Sequence, residues 1–139
     1  MLATERDSMA SDEIRSLQFL VCQDFTEFGN DGYTAHSVHS NIIVSEFPYL
    51  LDNHFAITCW RKDARFHKEV IEYSTDYGLS YKSPHMDIEP VTDSVFFRWH
   101  KHPFPSNFAI DRNTLLTIKV ILDWKVYWET YLMIEKINK

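Results

Sequence analysis

The sequence predicts an all-β domain, an antiparallel two-sheet sandwich of about seven to nine strands. Short runs rich in β-branched and aromatic residues recur at roughly regular spacing along the 139-residue chain. No convincing amphipathic helix separates these runs, and antiparallel strands can be joined by short turns whereas parallel strands need long crossovers. Several runs are apolar on both faces. Since a single sheet would leave one face in water, we expect two packed layers.

The predicted strands follow the apolar runs, and turn residues separate them. Residues 1–13 are polar and have no periodic apolar face, so we expect a flexible arm there and one domain over 14–139. Residues 28–32 hold two of the three glycines and predict a turn. The expected strands are 17–23, 38–47, 54–61, 66–74, a weaker edge strand at 86–91 between two prolines, 95–100, 115–122 and 126–134.

The last 25 residues carry the clearest pattern, which predicts a β-hairpin with its turn at 123–125. A helix over 115–139 is the alternative, and the density of β-branched and aromatic residues favours the strands. The side chains predicted to form the core-facing stripes are Leu116, Ile118, Val120 and Leu122 in the first strand and Val126, Trp128, Leu132 and Ile134 in the second.

Composition excludes several function classes. Three glycines are too few for the phosphate-cradling loops of nucleotide-binding folds. The net charge of −6, with basic residues scattered in short groups, disfavours a nucleic-acid partner. No stretch approaches the roughly 20 apolar residues of a membrane span, and the first 13 residues lack the apolar segment of an export signal, so we expect a cytoplasmic protein without a membrane partner.

Both cysteines lie inside apolar runs, which predicts two reduced, buried thiols at Cys22 and Cys59. The alternative is a disulfide between two packed sheets, as in immunoglobulin domains, because Trp60 directly follows Cys59.

The strand order resembles that of a family of small uncharacterised bacterial domains. The resemblance covers about 17–134 and consists of an opening strand that ends in Cys22-Gln23-Asp24, a glycine turn, Phe47-Pro48 after the second strand, an apolar strand at 55–61 and a final hairpin that turns at Asp123. It implies an all-β sandwich with no assigned activity and therefore no catalytic residues to carry over. The final turn here is Asp-Trp where the family has Asp-Gly, and 112–114 replace its Gly-x-Tyr.

The sequence offers a histidine pair and a carboxylate pair that could carry chemistry. His100 and His102 are two apart, so on a strand both would project from one face and could reach one metal ion, with His85 or Asp87 as a third ligand. Arg98 shares that face and would repel a metal. Asp87 and Glu89 are similarly spaced and could serve acid/base chemistry. Loop and edge polarity explains these residues better, so we expect no metal, no cofactor and no catalytic residue.

An excess of aromatic residues favours a binding role. Alternation places Tyr127, Tyr131 and Met133 opposite the core-facing stripe, and Trp124 lies in the turn. An open surface of this kind suits a protein interface. We therefore predict a non-catalytic binding or assembly module that contacts a protein partner or a second copy of itself through these four residues.

Two alternatives remain open. One is a small metal- or acid/base-dependent enzyme around His100, His102, Asp87 and Glu89. The other is a small-ligand or carbohydrate binder that uses Trp99, Trp124 or Tyr127 as stacking platforms.

Overall fold

The computed structural model describes residues 13–28 and 32–137, and it confirms the all-β class. No helix in these two ranges is long and apolar enough to span a membrane. The expected arm, apart from residue 13, and the centre of the expected glycine turn lie outside the described residues. The strands are β1 (Arg15–Cys22), β2 (Asp24–Phe28), β3 (Gly32–His36), β4 (Asn41–Val44), β5 (Tyr49–Leu50), β6 (Phe55–Arg61), β7 (His67–Ser74), β8 (Ser80–Lys82), β9 (Met86–Ile88), β10 (Phe97–Pro103), β11 (Ala109–Ile110), β12 (Thr114–Leu122) and β13 (Lys125–Lys136).

The strands form four sheets, so the predicted two-sheet sandwich of seven to nine strands is not confirmed. The largest sheet has the order β4-β13-β12-β7-β8, with β9 also paired to β7, and a second has the order β1-β6-β10. β2 and β3 form a separate hairpin, and β5 pairs with β11. The expectation of antiparallel pairing throughout is wrong at one place, because β4 and β13 run parallel.

The two larger sheets contribute to one hydrophobic core. The six-stranded sheet supplies Ile71, Leu116, Ile118 and Leu132, and the three-stranded sheet supplies Trp60, all within 1% of complete burial. Alternation along β12 buries Leu116, Ile118, Val120 and Leu122, as the sequence predicts. Their burial supplies much of the driving force for joining the sheets.

The β2–β3 hairpin covers the other face of the three-stranded sheet. Phe25 from β2 packs with Cys22 and Ile57 in a second, smaller buried cluster. β6 is therefore covered on both faces, which explains its nearly continuous apolar sequence. Cys22 and Cys59 are both buried and both free thiols, as the composition predicts, and burial raises the pKa of Cys59 to about 11.

The final hairpin turns where the alternation predicts, and the helical alternative is wrong. β12 and β13 pair in antiparallel register across a two-residue turn, Asp123 and Trp124, both with positive φ. The register shifts between Val120 and Ile121, which leaves Tyr127 as the extra residue of a β-bulge.

Candidate functional site

A buried polar cluster lies between the two larger sheets. Alternation along β7 turns His67, Glu69, Ile71 and Tyr73 toward the interior, and all four are buried. Glu69 is therefore an ionisable side chain placed in a row of otherwise mostly apolar positions. Its exposure is 0%.

The opposite sheet brings two histidines to Glu69. On β10, His100 and His102 project to one side while Lys101 between them is exposed, as the spacing predicts for a strand. His100 pairs in register with Thr58 of β6, which places that hydroxyl beside the histidines.

The Glu69 carboxylate accepts four hydrogen bonds. Its Oε1 accepts hydrogen bonds from the Nδ1 of His100 at 2.6 Å, from the Nε2 of His102 at 2.7 Å and from the Thr58 hydroxyl at 3.0 Å. Its Oε2 receives the indole N–H of Trp60 at 2.6 Å. Every donor comes from the three-stranded sheet, so the cluster joins that sheet to β7.

These contacts decide the protonation of Glu69. Burial by itself raises the pKa of the carboxyl, but hydrogen bonds and attraction from His100 and His102 outweigh it and lower the pKa from 4.5 to about 2. Glu69 is thus a buried carboxylate at neutral pH, stabilised by its donors.

The outer nitrogens of the two histidines differ. The Nε2 of His100 lies 3.1 Å from the Nε of Arg98 and 3.2 Å from the carbonyl oxygen of Asp87. Arg98 can only donate and the carbonyl can only accept, so the two contacts require opposite proton placements on Nε2. The Nδ1 of His102 is buried without a hydrogen-bond partner.

The cluster matches part of the predicted chemistry. His100 and His102 come together as expected, but the third group that the structure brings to them is Glu69. The side chain of Asp87 is half exposed, and that of His85, also exposed, lies 3.7 Å from it. Glu89 is exposed as well. The ligand atoms of Glu69, His100 and His102 all lie within 4.8 Å of one another, so these three residues could hold one metal ion.

Another buried histidine, His67, links two loops. The Nε2 of His67 lies 2.8 Å from Asp63 and its Nδ1 lies 2.6 Å from Asp123 in the hairpin turn. Burial raises the pKa of both aspartates, but backbone N–H groups and His67 more than offset it, so both pKa values are lowered. The segment 62–65 between β6 and β7 is thus partly buried, at Lys62 and Asp63.

The four residues expected to bind a partner lie at three places on the final hairpin: its outer face, its turn and its bulge. Tyr131 and Met133 lie on the outer face of the six-stranded sheet, where Met133 pairs with Leu115. Trp124 is 69% exposed at the turn, with its ring 6.4 Å from that of His85. Tyr127 belongs to the bulge, packs its ring 5.0 Å from that of buried Trp60 and accepts a hydrogen bond from the Ser16 N–H.

The aromatic residues considered as stacking platforms are partly occupied by neighbours. The Trp99 ring lies 5.5 Å from Phe25 and 5.2 Å from Tyr33.

Trp128, predicted to face the core, packs 5.2 Å from the Phe19 ring yet stays 40% exposed.

In the part of the chain that the structure describes, one edge of β13 is paired over only a third of its length. β4 pairs only with Met133–Lys136 of β13. Among residues 13–28 and 32–137, no strand pairs with the stretch 125–132 on that side. Strand edges of this kind carry backbone N–H and C=O groups available to another chain.

The sequence matches no protein-family model, and no curated protein is significantly similar to it. The resemblance to the small bacterial domains therefore stays a prediction, and the candidate sites depend on geometry alone.

Proposed function

We propose that this protein is a non-catalytic assembly module that pairs with a second copy of itself through the open edge of β13. The observation that carries the proposal is that, among residues 13–28 and 32–137, no strand pairs with the stretch 125–132 on the side away from β12. A partner at a sheet edge must itself present an unpaired strand, and a second copy presents the same one.

The side chains along this edge suit a protein interface. Tyr131 is 54% exposed on the outer face, and Trp128 is partly exposed on the opposite face. Large aromatic residues are the usual anchors of protein interfaces, because they bury much area at low entropic cost. Added backbone hydrogen bonds would join the two sheets into one.

The register can be stated. The bulge at Tyr127 and the start of the β4 pairing at Met133 leave five regular residues, 128–132, for pairing. An antiparallel pair centred on Thr130 sets Trp128 of each copy opposite Leu132 of the other and Glu129 opposite Tyr131. Such an arrangement makes a Thr–Thr pair at the two-fold axis and opposes no like charges.

Sedimentation velocity over about 1–200 µM protein tests the proposal. We expect a concentration-dependent dimer that Tyr131→Glu weakens, because it places a carboxylate opposite Glu129 twice per dimer. Two like-charge pairs at about 1 kcal/mol each raise the dissociation constant about 30-fold. Adding Glu129→Lys to that variant restores dimerisation.

Leu115→Glu is the matched control, since Leu115 lies on the same outer face but on β12, an interior strand. Its dimerisation should equal that of the unaltered protein. A monomer at every concentration overturns the proposal, and so does a dimer that Tyr131→Glu leaves unchanged.

A further inference from the structure

We propose that Glu69, His100 and His102 form a site for one divalent transition-metal ion, with Zn²⁺ as the best fit, that joins the two larger sheets. This inference is independent of the assembly through β13. The ligand set, two imidazoles and one carboxylate without a thiolate, is one that Zn²⁺ accepts.

The hydrogen bonding at Glu69 Oε1 is the first argument. A carboxylate oxygen has two lone-pair positions, whereas three donors converge on this one, from Thr58, His100 and His102. The other oxygen, Oε2, receives only Trp60. An ion between the carboxylate and the two rings would replace two of the three competing donors with coordination bonds.

The surrounding groups are the second argument. In metal sites, ligands are usually held by hydrogen bonds from a further layer of residues. Trp60 and Thr58 hold the Glu69 carboxylate, and the carbonyl of Asp87 lies 3.2 Å from the outer nitrogen of His100. If His100 coordinates the ion through Nδ1, its ring proton lies on Nε2. Nε2 can then donate to the carbonyl of Asp87 and cannot accept from Arg98. The exposed Arg98 then turns to solvent.

Binding an ion requires all three ligand separations to adjust. Ligand atoms about 2.0–2.1 Å from a tetrahedral ion lie about 3.3 Å apart. The present separations are 2.6 Å from Glu69 Oε1 to His100 and 2.7 Å to His102. These two separations must lengthen by about 0.6–0.7 Å. The third, between the histidine nitrogens, now lies within 4.8 Å and must also become about 3.3 Å. Side-chain rotation on two facing strands can supply these changes.

The three ligand residues are shielded from solvent. The exposures of Glu69, His100 and His102 are 0%, 3% and 0%. A shielded ion would connect β7 to β10 across the core and stabilise the folded chain, since the unfolded chain has no preformed site.

The experiment uses the full chain, freed of metal with a chelator and refolded with or without ZnCl₂ or CoCl₂. We expect one bound equivalent per chain by elemental analysis, and a melting temperature raised by about 8 °C at an ion concentration 100 times the dissociation constant. Glu69→Gln and His102→Gln should lose the bound equivalent and the shift. His85→Gln, an exposed histidine outside the cluster, should retain both.

A measurement on the unaltered protein keeps the test decisive if a variant fails to fold. X-ray absorption of the zinc-loaded chain should report nitrogen and oxygen ligands only, including two imidazoles, at about 2.0–2.1 Å. No bound ion after refolding, a sulfur ligand, or an equivalent retained in both Glu69→Gln and His102→Gln overturns the proposal.

Discussion

Replacing Glu69 with glutamine tests the buried hydrogen-bond network most directly. Glutamine keeps the shape of the side chain but has one oxygen and one NH₂ group, whereas the native carboxylate accepts from four donors. If the amide oxygen takes the position near His100 and His102, the NH₂ group meets the indole N–H of Trp60. Two buried donors then face each other.

The cost follows from these contacts. An unsatisfied buried donor costs about 1–3 kcal/mol, and the remaining hydrogen bonds lose the strengthening that a charged acceptor gives. We expect Glu69→Gln to lower the free energy of unfolding by about 3–5 kcal/mol, because at least one buried donor loses its acceptor and the other hydrogen bonds lose a charged one. A loss of that size is a large fraction of the 5–15 kcal/mol that typically stabilises a domain.

Urea unfolding followed by tryptophan fluorescence measures this effect, with a chelator present so that bound metal does not contribute. The midpoint should fall by about 2 M with little change in the slope. Glu89→Gln is the control, because Glu89 is exposed, and it should stay within about 0.5 kcal/mol of the unaltered protein.

A double-mutant cycle with Trp60→Phe isolates the predicted clash. Trp60→Phe removes the indole N–H, so the combined variant should be more stable than the sum of the two single losses by at least about 1 kcal/mol. Additive losses, or a Glu69→Gln loss below about 1 kcal/mol, would refute the description of Glu69 as the shared acceptor.

Four further expected outcomes concern Glu69, the hairpin turn and the core. Folding lowers the pKa of Glu69 from 4.5 to about 2, which contributes about 3 kcal/mol to stability. This contribution is complete above about pH 4.5 and is lost as the pH falls toward about 2. Urea midpoints measured from pH 2 to 6 should show the loss, and the Glu69→Gln variant should show a weaker dependence on pH. Asp123→Ala removes the acceptor of His67 and of a backbone N–H, so we expect a loss of about 1–2 kcal/mol by urea unfolding; no loss would contradict a role for the turn carboxylate. Trp124→Gly should raise stability by about 1 kcal/mol in thermal melts, since Trp124 has φ 70° and glycine adopts that conformation freely. Ile118→Ala, at a fully buried position between β7 and β13, should cost about 2–5 kcal/mol, and a smaller cost in urea unfolding would place the core elsewhere.

The alternation of apolar residues predicted the fold class and the final hairpin, because both depend on local periodicity. β12 and β13 are long enough for the two-residue repeat to be unmistakable. β5 and β11 have two residues each, which is too short for an alternation of apolar and polar side chains to be recognised in the sequence. Their pairing depends on contacts distant in sequence, so the number of strands and the division into four sheets could not be predicted from local pattern.

A single extra residue limited the prediction of the partner-binding surface. Alternation assigns Tyr127 and Trp128 to opposite faces, but the bulge opposite Val120 interrupts the repeat at this point. Tyr127 therefore contacts buried Trp60, while Tyr131 and Met133, beyond the bulge, keep the outward positions that their spacing predicts. A bulge has no sequence signal as regular as the period that it breaks.

Two of the three residues of the candidate metal site could be predicted from the sequence and the third could not, because of how the two sheets pack. His100 and His102 share a strand, so their spacing alone places them side by side. Glu69 lies on a strand of the other sheet, and only the packing of the two sheets brings it to the histidines. One sequence signal for Glu69 was present. On β7 it lies in the same alternating row as the apolar side chains of Ile71 and Tyr73. A buried charge requires partners, so an acid in an inward row, together with two histidines in the inward row of another strand, is the pattern to look for.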